Sequence, residues 1–269
     1  MTITSKERNE LIMETLQYRV ENRVGYIYLN RPPFNPLNKK LFVELYDLLE
    51  QIEDDENVRA VILTGSGERA FAAGADITEM SQLDAAGVAK MGVASRKAFE
   101  KLERLSKPVI AAVNGLALGG GTELALVCDL RISSDKAKFA LPEVNLGIIP
   151  GGGGTQRLQR LIGQSRAKEM LFFGDMITAD QALNYGLVNK VVPAEELIGC
   201  ATEWALKLTE KAPVAMQMIK TSVNGGAQVD LATALDLETA CFGNAFASED
   251  RVEGMTAFAE KRKANFVGR

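Results

Sequence analysis

Residues 107–126 read KPVIAAVNGLALGGGTELAL. The uninterrupted apolar run at 108–115 predicts a buried β-strand, because short apolar runs bounded by Pro and Gly are typical of strands covered on both faces. Three adjacent glycines then lead into TELALV, which predicts an apolar helix. Strand, turn and helix in this order form the repeating unit of α/β folds.

The same alternation of strands and helices continues on both sides of this stretch. Residues 16–30 alternate apolar and polar positions around Glu-Asn-Arg and predict a β-hairpin. Apolar residues at helical spacing in 39–56 predict a helix, and a buried strand follows at 58–65. We therefore expect an α/β core, with a further helix at 83–105 and short strands at 130–134 and 187–192.

The chain changes character after Ala194, beyond which only helices are predicted. The composition indicates an α/β body of about 200 residues followed by a helical C-terminal part. Because no Ser/Gly-rich linker separates them, we expect the two parts to pack as one unit. Residues 1–14 are polar and are predicted to form a short helical extension. The C-terminal helices are expected at 194–211, 213–224, 230–247 and 249–263.

The 269 residues include no histidine, which excludes several kinds of active site. Neither a Ser-His-Asp or Cys-His nucleophile nor an HExxH or Cys/His zinc site can form. Proton transfer near neutral pH must instead use a carboxylate with a raised pKa, a lysine or cysteine with a lowered pKa, or a tyrosine. We expect no metal site.

The charge balance and the cysteines restrict the partners and the compartment. Lys and Arg number 31 against 35 Asp and Glu, which gives a net charge of −4. Such a chain is a poor general binder of nucleic acid or of anionic membranes. Cys128, Cys200 and Cys241 are far apart in sequence and are expected to be buried free thiols. The sequence has no apolar run of membrane-spanning length and no signal-peptide pattern, so we expect a cytoplasmic protein.

Two glycine clusters, at 114–126 and 149–158, do not fit the nucleotide-binding loops that they resemble at first sight. In the first cluster, Gly121 stands where a P-loop requires lysine. Leu124 and Arg157 stand where the two clusters would need the last glycine of GxGxxG. Adjacent glycines can instead let backbone N–H groups approach and bind an oxyanion.

Each glycine cluster lies beside one carboxylate with apolar neighbours. Glu123 follows the glycines of the first cluster, and Glu143 precedes those of the second. Taken singly, each is better explained by the ordinary preference of acidic residues for the start of a helix. Segment 70–80, taken singly, is a turn. Together the three segments put two small-residue turns and two carboxylates where α/β folds carry their sites.

Five segments in this order resemble the crotonase superfamily, and within it the short-chain enoyl-CoA hydratases. The resemblance extends from about Leu16 to Phe266 without large gaps. Five ordered motifs are far more specific than a glycine pattern alone. The matching segments are LNRPPFNPLN (29–38), AFAAGADITEM (70–80), KPVIAAVNGLALGGGTELALVCD (107–129), PEVNLGIIPGGGGTQRL (142–158) and EGMTAFAEKRKANF (253–266).

The resemblance implies an α/β fold built as a spiral of ββα units over residues 15–200. Residues 201–269 would form a helical region through which three copies associate, and the trimers often pair into hexamers. Residues 1–14 would be an N-terminal extension. A homotrimer or homohexamer is therefore expected.

The resemblance also implies a site and a reaction. The backbone N–H groups of Ala75 and Gly120 would form an oxyanion hole for a thioester carbonyl. Glu123 and Glu143, 143 − 123 = 20 positions apart as in hydratases, would be the catalytic pair. They would add water reversibly to a trans-2-enoyl-CoA, giving a 3-hydroxyacyl-CoA. Glu123 would hold and deprotonate the water and Glu143 would protonate C2, although the sequence leaves this division of roles open.

Further substrate contacts are implied for residues of two other segments. Many hydratases carry a lysine at the position of Thr78, so a charge contact to the CoA phosphates is expected to be missing. Residues Lys261–Lys263 are explained equally well as a solvent-exposed basic end of a helix and as a contact with the nucleotide of CoA. Asp129 is expected to be structural. No cofactor is expected, because coenzyme A is part of the substrate. The implied CoA-binding residues are Ala75, Asp76, Ile77, Thr78, Gly120, Phe258 and Lys261.

Two alternatives stay open at this point. An enoyl-CoA isomerase can have the same fold, although relatives that isomerise, dehalogenate or decarboxylate commonly lack one of the two acids. A non-catalytic RNA-binding relative would need a lysine-rich helix, and 90–107 does carry six cations. Glu100 and Glu103 dilute that patch, so we expect no nucleic acid partner and no membrane partner. The acyl chain length, which relatives set partly through the helix at 83–105, and the pathway stay open.

Overall fold

The computed structural model describes residues 10–269. Eleven strands in this range form two sheets. They are β1 (Glu10–Ile12), β2 (Leu16–Glu21), β3 (Val24–Leu29), β4 (Ala60–Gly65), β5 (Ala70–Ala72), β6 (Val109–Val113), β7 (Leu116–Leu118), β8 (Leu130–Ser134), β9 (Lys138–Ala140), β10 (Ile177–Thr178) and β11 (Lys190–Val192).

Eleven α-helices and two 3₁₀ turns, Pro142–Leu146 and Ala194–Glu196, complete the described range. The helices are α1 (Lys39–Asp54), α2 (Ile77–Met80), α3 (Ala85–Arg104), α4 (Gly120–Leu126), α5 (Gly154–Ile162), α6 (Gln164–Phe173), α7 (Ala179–Tyr185), α8 (Leu197–Thr209), α9 (Pro213–Gly226), α10 (Leu231–Phe246) and α11 (Glu249–Glu260).

The large sheet has the strand order β1-β2-β3-β4-β6-β8-β11, and the small sheet has the order β10-β9-β7-β5. From β3 to β11 the neighbouring strands of the large sheet are parallel. A short strand of the small sheet follows each of β4, β6 and β8 before the chain enters its next helical segment. This recurrence confirms the expected spiral of ββα units.

Both faces of the central strands β3, β4, β6 and β8 are largely buried, which explains the continuous apolar runs that predicted β4 and β6. Val61 and Leu63 face the main core beneath α1 and α3. Ala60 and Ile62, which alternate with them, face a second cluster that includes the buried side of α8. The predicted border at 200/201 lies within α8, whose buried side contacts the strands of the large sheet.

The predicted hairpin, the main helices and the central strands are confirmed, with shifts of a few residues at their ends. The strand expected at 187–192 is shorter and begins at Lys190. The helix expected for the N-terminal extension is wrong for residues 10–12, which form β1 and pair antiparallel with β2. The rest of that prediction, on residues 1–9, lies outside the described residues. Cys128, Cys200 and Cys241 are free and buried, as expected.

Two asparagine side chains join the large sheet to the small one. Asn35 is fully buried and its amide donates to the carbonyls of Ala70, at 2.9 Å, and Ser66, at 3.0 Å. Asn114 accepts from the N–H of Gly65 at 3.2 Å and donates to the carbonyl of Gly67 at 2.8 Å. These amides bond backbone groups that the sheet ladders leave free where the chain turns from β4 into β5.

In residues 10–269, no helix combines the length and the apolar character that a membrane crossing requires.

The closest approach of α4 to the small sheet yields a stability prediction. A Cβ on Gly121 would lie 1.8 Å from the carbonyl oxygen of Ala72, so Gly121→Ala must push α4 away from β5. We expect it to lower the free energy of unfolding by about 3 kcal/mol, at the upper end of overpacking effects. Gly199→Ala is the matched control, because nothing lies within 4 Å of its added Cβ on the surface of α8. Urea unfolding followed by circular dichroism should show the control equal to or slightly more stable than the unmodified chain. Equal stability of the two variants would contradict the close packing of α4.

Candidate active site

Two backbone N–H groups, those of Ala75 and Gly120, lie close together beside Leu37. The N–H of Leu37 donates to the carbonyl of Gly74, and the N–H of Asp76 donates to the carbonyl of Leu37, both at 2.8 Å. This short parallel bridge uses the groups on either side of Ala75 and leaves its own N–H without an acceptor in residues 10–269.

Gly120 is the first residue of α4, a position where the backbone N–H has no acceptor within the helix. A Cβ on Gly120 would stand 3.8 Å from the nitrogen of Ala75. The two N–H groups that the resemblance singled out are therefore neighbours. An oxygen placed between them could accept from both.

Glu123 lies one turn into α4 and is almost fully buried, with 4% of its surface exposed. Its Oε1 accepts hydrogen bonds from the N–H groups of Gly152, at 2.8 Å, and Gly154, at 2.7 Å. Its Oε2 lies 3.9 Å from the position of a Cβ on Gly120 and 2.7 Å from that of a Cβ on Gly152. One oxygen is thus held by the second glycine cluster, while the other lies between that cluster and the start of α4.

Glu143 lies in the 3₁₀ turn at Pro142–Leu146, close to the start of α4. Its Oε1 is 2.8 Å from where a Cβ on Gly119 would stand. Its Oε2 is buried and has no hydrogen-bond partner among residues 10–269. The structure therefore brings together the two carboxylates and the two N–H groups that the sequence indicated.

The two carboxyl groups differ in how they bear a negative charge. Burial raises the pKa of Glu123, but the N–H groups of Gly154 and Gly152 and the charge of Arg157 oppose that rise by stabilising the carboxylate. Burial raises the pKa of Glu143 to about 7, and the neighbouring charge of Glu123 adds to the effect. Glu143 therefore keeps its proton to higher pH than an ordinary glutamate does, while the donors around Glu123 favour its ionised form.

The residues after Ala75 have structural partners of their own. Asp76 caps α2 by accepting from the N–H of Glu79 at 3.3 Å, and its carboxylate pairs with Arg31 at 2.9 Å. The hydrogen bond from Arg31 holds the pKa of Asp76 below its usual range. The Asp76 carboxylate is therefore hydrogen-bonded within the chain, whereas the side chains of Ile77 and Thr78, which follow it, are exposed.

Phe258 and Lys261 are not brought to the two glutamates. Phe258 is 86% exposed near the end of α11, and Lys261 caps that helix in a left-handed conformation. Neither side chain is a hydrogen-bond or ion-pair partner of Glu123 or Glu143 in residues 10–269. Their predicted contact with a nucleotide stays a prediction.

Asp129 has the structural role expected of it. Its Oδ2 accepts from the N–H of Val109 at 2.7 Å and from Nζ of Lys220 at 2.8 Å. These bonds tie the residue after α4 to the start of β6 and to α9.

Sequence reasoning misses the partners that hold Glu123. Gly152 and Gly154 bind it through backbone N–H groups, which carry no side-chain signature. The one signal for them is the run of four consecutive glycines at 151–154, which is more than a simple turn needs.

Chemically, the site offers two backbone donors, one carboxyl group whose hydrogen bonds favour the ionised form and one whose pKa is raised to about 7. The donors can stabilise negative charge on an oxygen. The carboxylate can take a proton and the carboxyl group can give one. This arrangement suits proton transfer at the carbons next to a carbonyl group.

Known proteins support this interpretation. Residues 19–269 match the enoyl-CoA hydratase/isomerase family. The chain is 49% identical to the short-chain-enoyl-CoA hydratase of Clostridium acetobutylicum over 96% of this chain and 97% of that one. It is 47% identical to the crotonyl-CoA hydratase of Syntrophomonas wolfei over 95% and 99%. Its fold matches the crystal structure of an enoyl-CoA hydratase from Bacillus anthracis with a TM-score of 0.92, at 44% identity, over 95% of this chain and 100% of that one. The chain belongs to the enoyl-CoA hydratase/isomerase family.

Proposed function

We propose that this chain is an enoyl-CoA hydratase, a hydro-lyase that adds water reversibly to a trans-2-enoyl-CoA to give a 3-hydroxyacyl-CoA. The observation that carries the proposal is a pair of carboxyl groups in different environments near two backbone N–H groups. Glu123 accepts two N–H hydrogen bonds, whereas Oε2 of Glu143 is buried without a partner in residues 10–269 and the pKa of Glu143 is raised to about 7. The names of the relatives that match almost the whole chain support the same reaction.

The thioester oxygen would accept hydrogen bonds from the N–H groups of Ala75 and Gly120. As water adds to C3, negative charge moves through C2 and the carbonyl carbon onto this oxygen. Donors that are already aimed at the oxygen stabilise that charge more than they stabilise the neutral substrate. Each is expected to contribute on the order of 3 kcal/mol to the transition state.

The two glutamates would share the proton transfers. Glu123 Oε2 takes a proton from water as the water oxygen bonds to C3, and Glu143 gives its proton to C2. One O–H bond of water, the O–H bond of Glu143 and the π bond between C2 and C3 break, while a C3–O, a C2–H and a Glu123 O–H bond form. The pair ends the forward reaction with the proton on Glu123 and regains its starting state by exchange with solvent. Coenzyme A enters and leaves with the substrate, and this route involves no other cofactor.

The isomerase alternative is not favoured. The relatives at 47–49% identity are named as hydratases. An isomerase moves one proton between carbons, whereas a hydratase must both deprotonate water and protonate C2. Both carboxyl groups are present and differ in their environment, which is what the second reaction needs.

The RNA-binding alternative lacks its electrostatic basis. Lys107 is half-buried and donates to the carbonyls of Glu53 and Asp55. Arg96 pairs with Glu100, and Lys101 pairs with Glu50. Half of the six cations in 90–107 are thus engaged within the chain, which leaves too few for a strong phosphate-binding surface.

We propose further that the chain works as a homotrimer or homohexamer. Helix α9 has no buried residue and α10 has only Cys241, although both helices are rich in apolar side chains. Exposed apolar surface of this extent is typical of protein interfaces. Cytoplasmic location stays a prediction. The exposed apolar residues of α9–α11 include Ile219, Val223, Leu231, Leu235, Phe242, Phe246 and Met255.

Replacement of either glutamate tests the proposed reaction. We expect Glu123→Gln and Glu143→Gln each to lower kcat for hydration of crotonyl-CoA by about 10²- to 10⁴-fold, because glutamine keeps the shape but cannot transfer the proton. The loss of absorbance of the conjugated thioester reports the rate. Glu169→Gln, on the exposed side of α6, is the control and should match the unmodified chain. Unchanged rates in Glu143→Gln would remove Glu143 from the mechanism, and faster conversion of a 3-enoyl-CoA than of crotonyl-CoA would indicate an isomerase.

The pH dependence should report the carboxyl pair alone. The pKa of Glu143 is raised from 4.5 to about 7, so its acidic form persists to neutral pH and is lost above it. Hydration should therefore decline as pH rises through about 7, and decline at acid pH as Glu123 gains a proton. With no histidine in the chain, no imidazole can contribute. A profile of kcat/KM against pH checks this, and a rate that stays constant from acid to well above neutral pH would contradict the assignment of Glu143 as the acid.

A further inference from the structure

Arg157 lies one turn into α5 and folds back over the glycine loop that precedes the helix. Its Nη1 donates to the carbonyl of Gly152 at 3.0 Å. Its backbone N–H donates to the carbonyl of Gly153 at 2.8 Å. The arginine thus bonds two consecutive carbonyls of the loop that holds Glu123.

Gly152 is fixed at both ends by this arrangement. Its N–H donates to Glu123 Oε1 and its carbonyl accepts from Arg157. Gly153, at φ +107°, turns the chain so that the N–H of Gly154 reaches the same oxygen. A Cβ on Gly153 would stand 2.0 Å from Nη1 of Arg157, so the guanidinium packs directly against the loop.

The other side of the Arg157 guanidinium is anchored to α3. Nε and Nη2 donate to the two carboxylate oxygens of Glu103 at 2.9 and 2.7 Å. The side chains of Arg157 and Glu103 are only 25% and 33% exposed. A two-point contact of this kind fixes the plane of the guanidinium as well as its position.

We propose that Arg157, anchored by Glu103, is a positioning residue for Glu123. It holds the glycine loop in the conformation in which both N–H groups reach Oε1, and thereby keeps Oε2 facing the reacting carbons. This role rests on the proposed function, because it concerns the carboxylate that takes the proton from water.

Arg157 also acts on Glu123 through its charge. Among residues 10–269, Arg157 is the one side chain whose charge lowers the pKa of Glu123 appreciably. The other groups that lower this pKa are the backbone N–H groups of Gly152 and Gly154, which belong to the loop that Arg157 holds in place. Removal of Arg157 therefore weakens every influence that keeps Glu123 ionised. Removal of the Glu103 charge acts differently, since it loosens the anchor but leaves the positive charge of Arg157 beside Glu123.

The test compares Arg157→Gln and Glu103→Gln with Arg160→Gln, an exposed arginine on the same helix whose hydrogen bonds run to Gln156. For each, kcat and KM for crotonyl-CoA and the pH profile of kcat/KM are measured.

We expect Arg157→Gln to lower kcat about tenfold or more with KM changed by less than about twofold, because misplacement of a reacting group acts on the chemical step. The acid limb of the kcat/KM profile of Arg157→Gln should move to higher pH, because Glu123 binds its proton more tightly without the charge of Arg157. Glu103→Gln should lower kcat less and leave the acid limb in place or move it to lower pH, and Arg160→Gln should match the unmodified chain.

Opposite results overturn the proposal in distinguishable ways. A lower kcat with an unmoved acid limb in Arg157→Gln would mean that Arg157 is structural only. A raised KM with unchanged kcat would mean that it binds substrate.

If thermal unfolding shows that Arg157→Gln does not fold, Arg157→Lys decides, because lysine keeps the positive charge but cannot bind both oxygens of Glu103 as a guanidinium does. Arg157→Lys should lower kcat but hold the acid limb near its original pH, and an unchanged kcat would overturn the proposal. Failure of the unmodified chain and of Arg160→Gln to hydrate crotonyl-CoA would instead contradict the proposed function.

Discussion

The structure depends on the stabilisation of one buried negative charge, that of Glu123. A carboxylate with 4% of its surface exposed would bind a proton unless nearby groups replaced its hydration. Two backbone N–H groups supply that replacement, and they reach the same oxygen only because the loop at 151–154 consists of glycine. The loop, the start of α4 and the bridge at Ala75 lie together because the ββα units repeat around the small sheet.

Because the chain has no histidine, proton transfer near neutral pH depends on how its carboxyl groups are charged. An imidazole could serve as both acid and base near pH 7, whereas two carboxyl groups of ordinary pKa would both be ionised there. The protein separates their behaviour by environment. Glu123 accepts two N–H hydrogen bonds that favour its ionised form, while Oε2 of Glu143 is buried without a partner in residues 10–269 and burial raises the pKa of Glu143 to about 7. In the proposed reaction, two chemically identical side chains thus serve as an acid and a base.

The parts of the fold that the sequence predicts are those in which packing leaves a periodic pattern. The strands β3, β4 and β6 bury both faces and so appear as continuous apolar runs, and α1 shows one apolar face. The strands of the small sheet have two or three residues, too few for any period, and depend on side-chain amides such as Asn114. Residues 10–12 pair with β2 through backbone groups, and a segment of three residues is too short to show the period of a strand. At the site, the sequence indicates both carboxylates, but the donors to Glu123 lie 29 and 31 positions away and act through the backbone. Arg157 gives no sign in the sequence of its contacts with Gly152 and Glu103.

The central claim is that near neutral pH the proton resides on Glu143 and the charge on Glu123. Infrared difference spectroscopy of the carboxylic acid C=O band measures this directly. The account predicts a band in the unmodified chain that disappears as pH rises through about 7, is absent from Glu143→Gln and is retained in Glu123→Gln. A band that persists in Glu143→Gln and is lost in Glu123→Gln would contradict it, because the proton would then reside on the residue that the glycine loop is built to keep ionised.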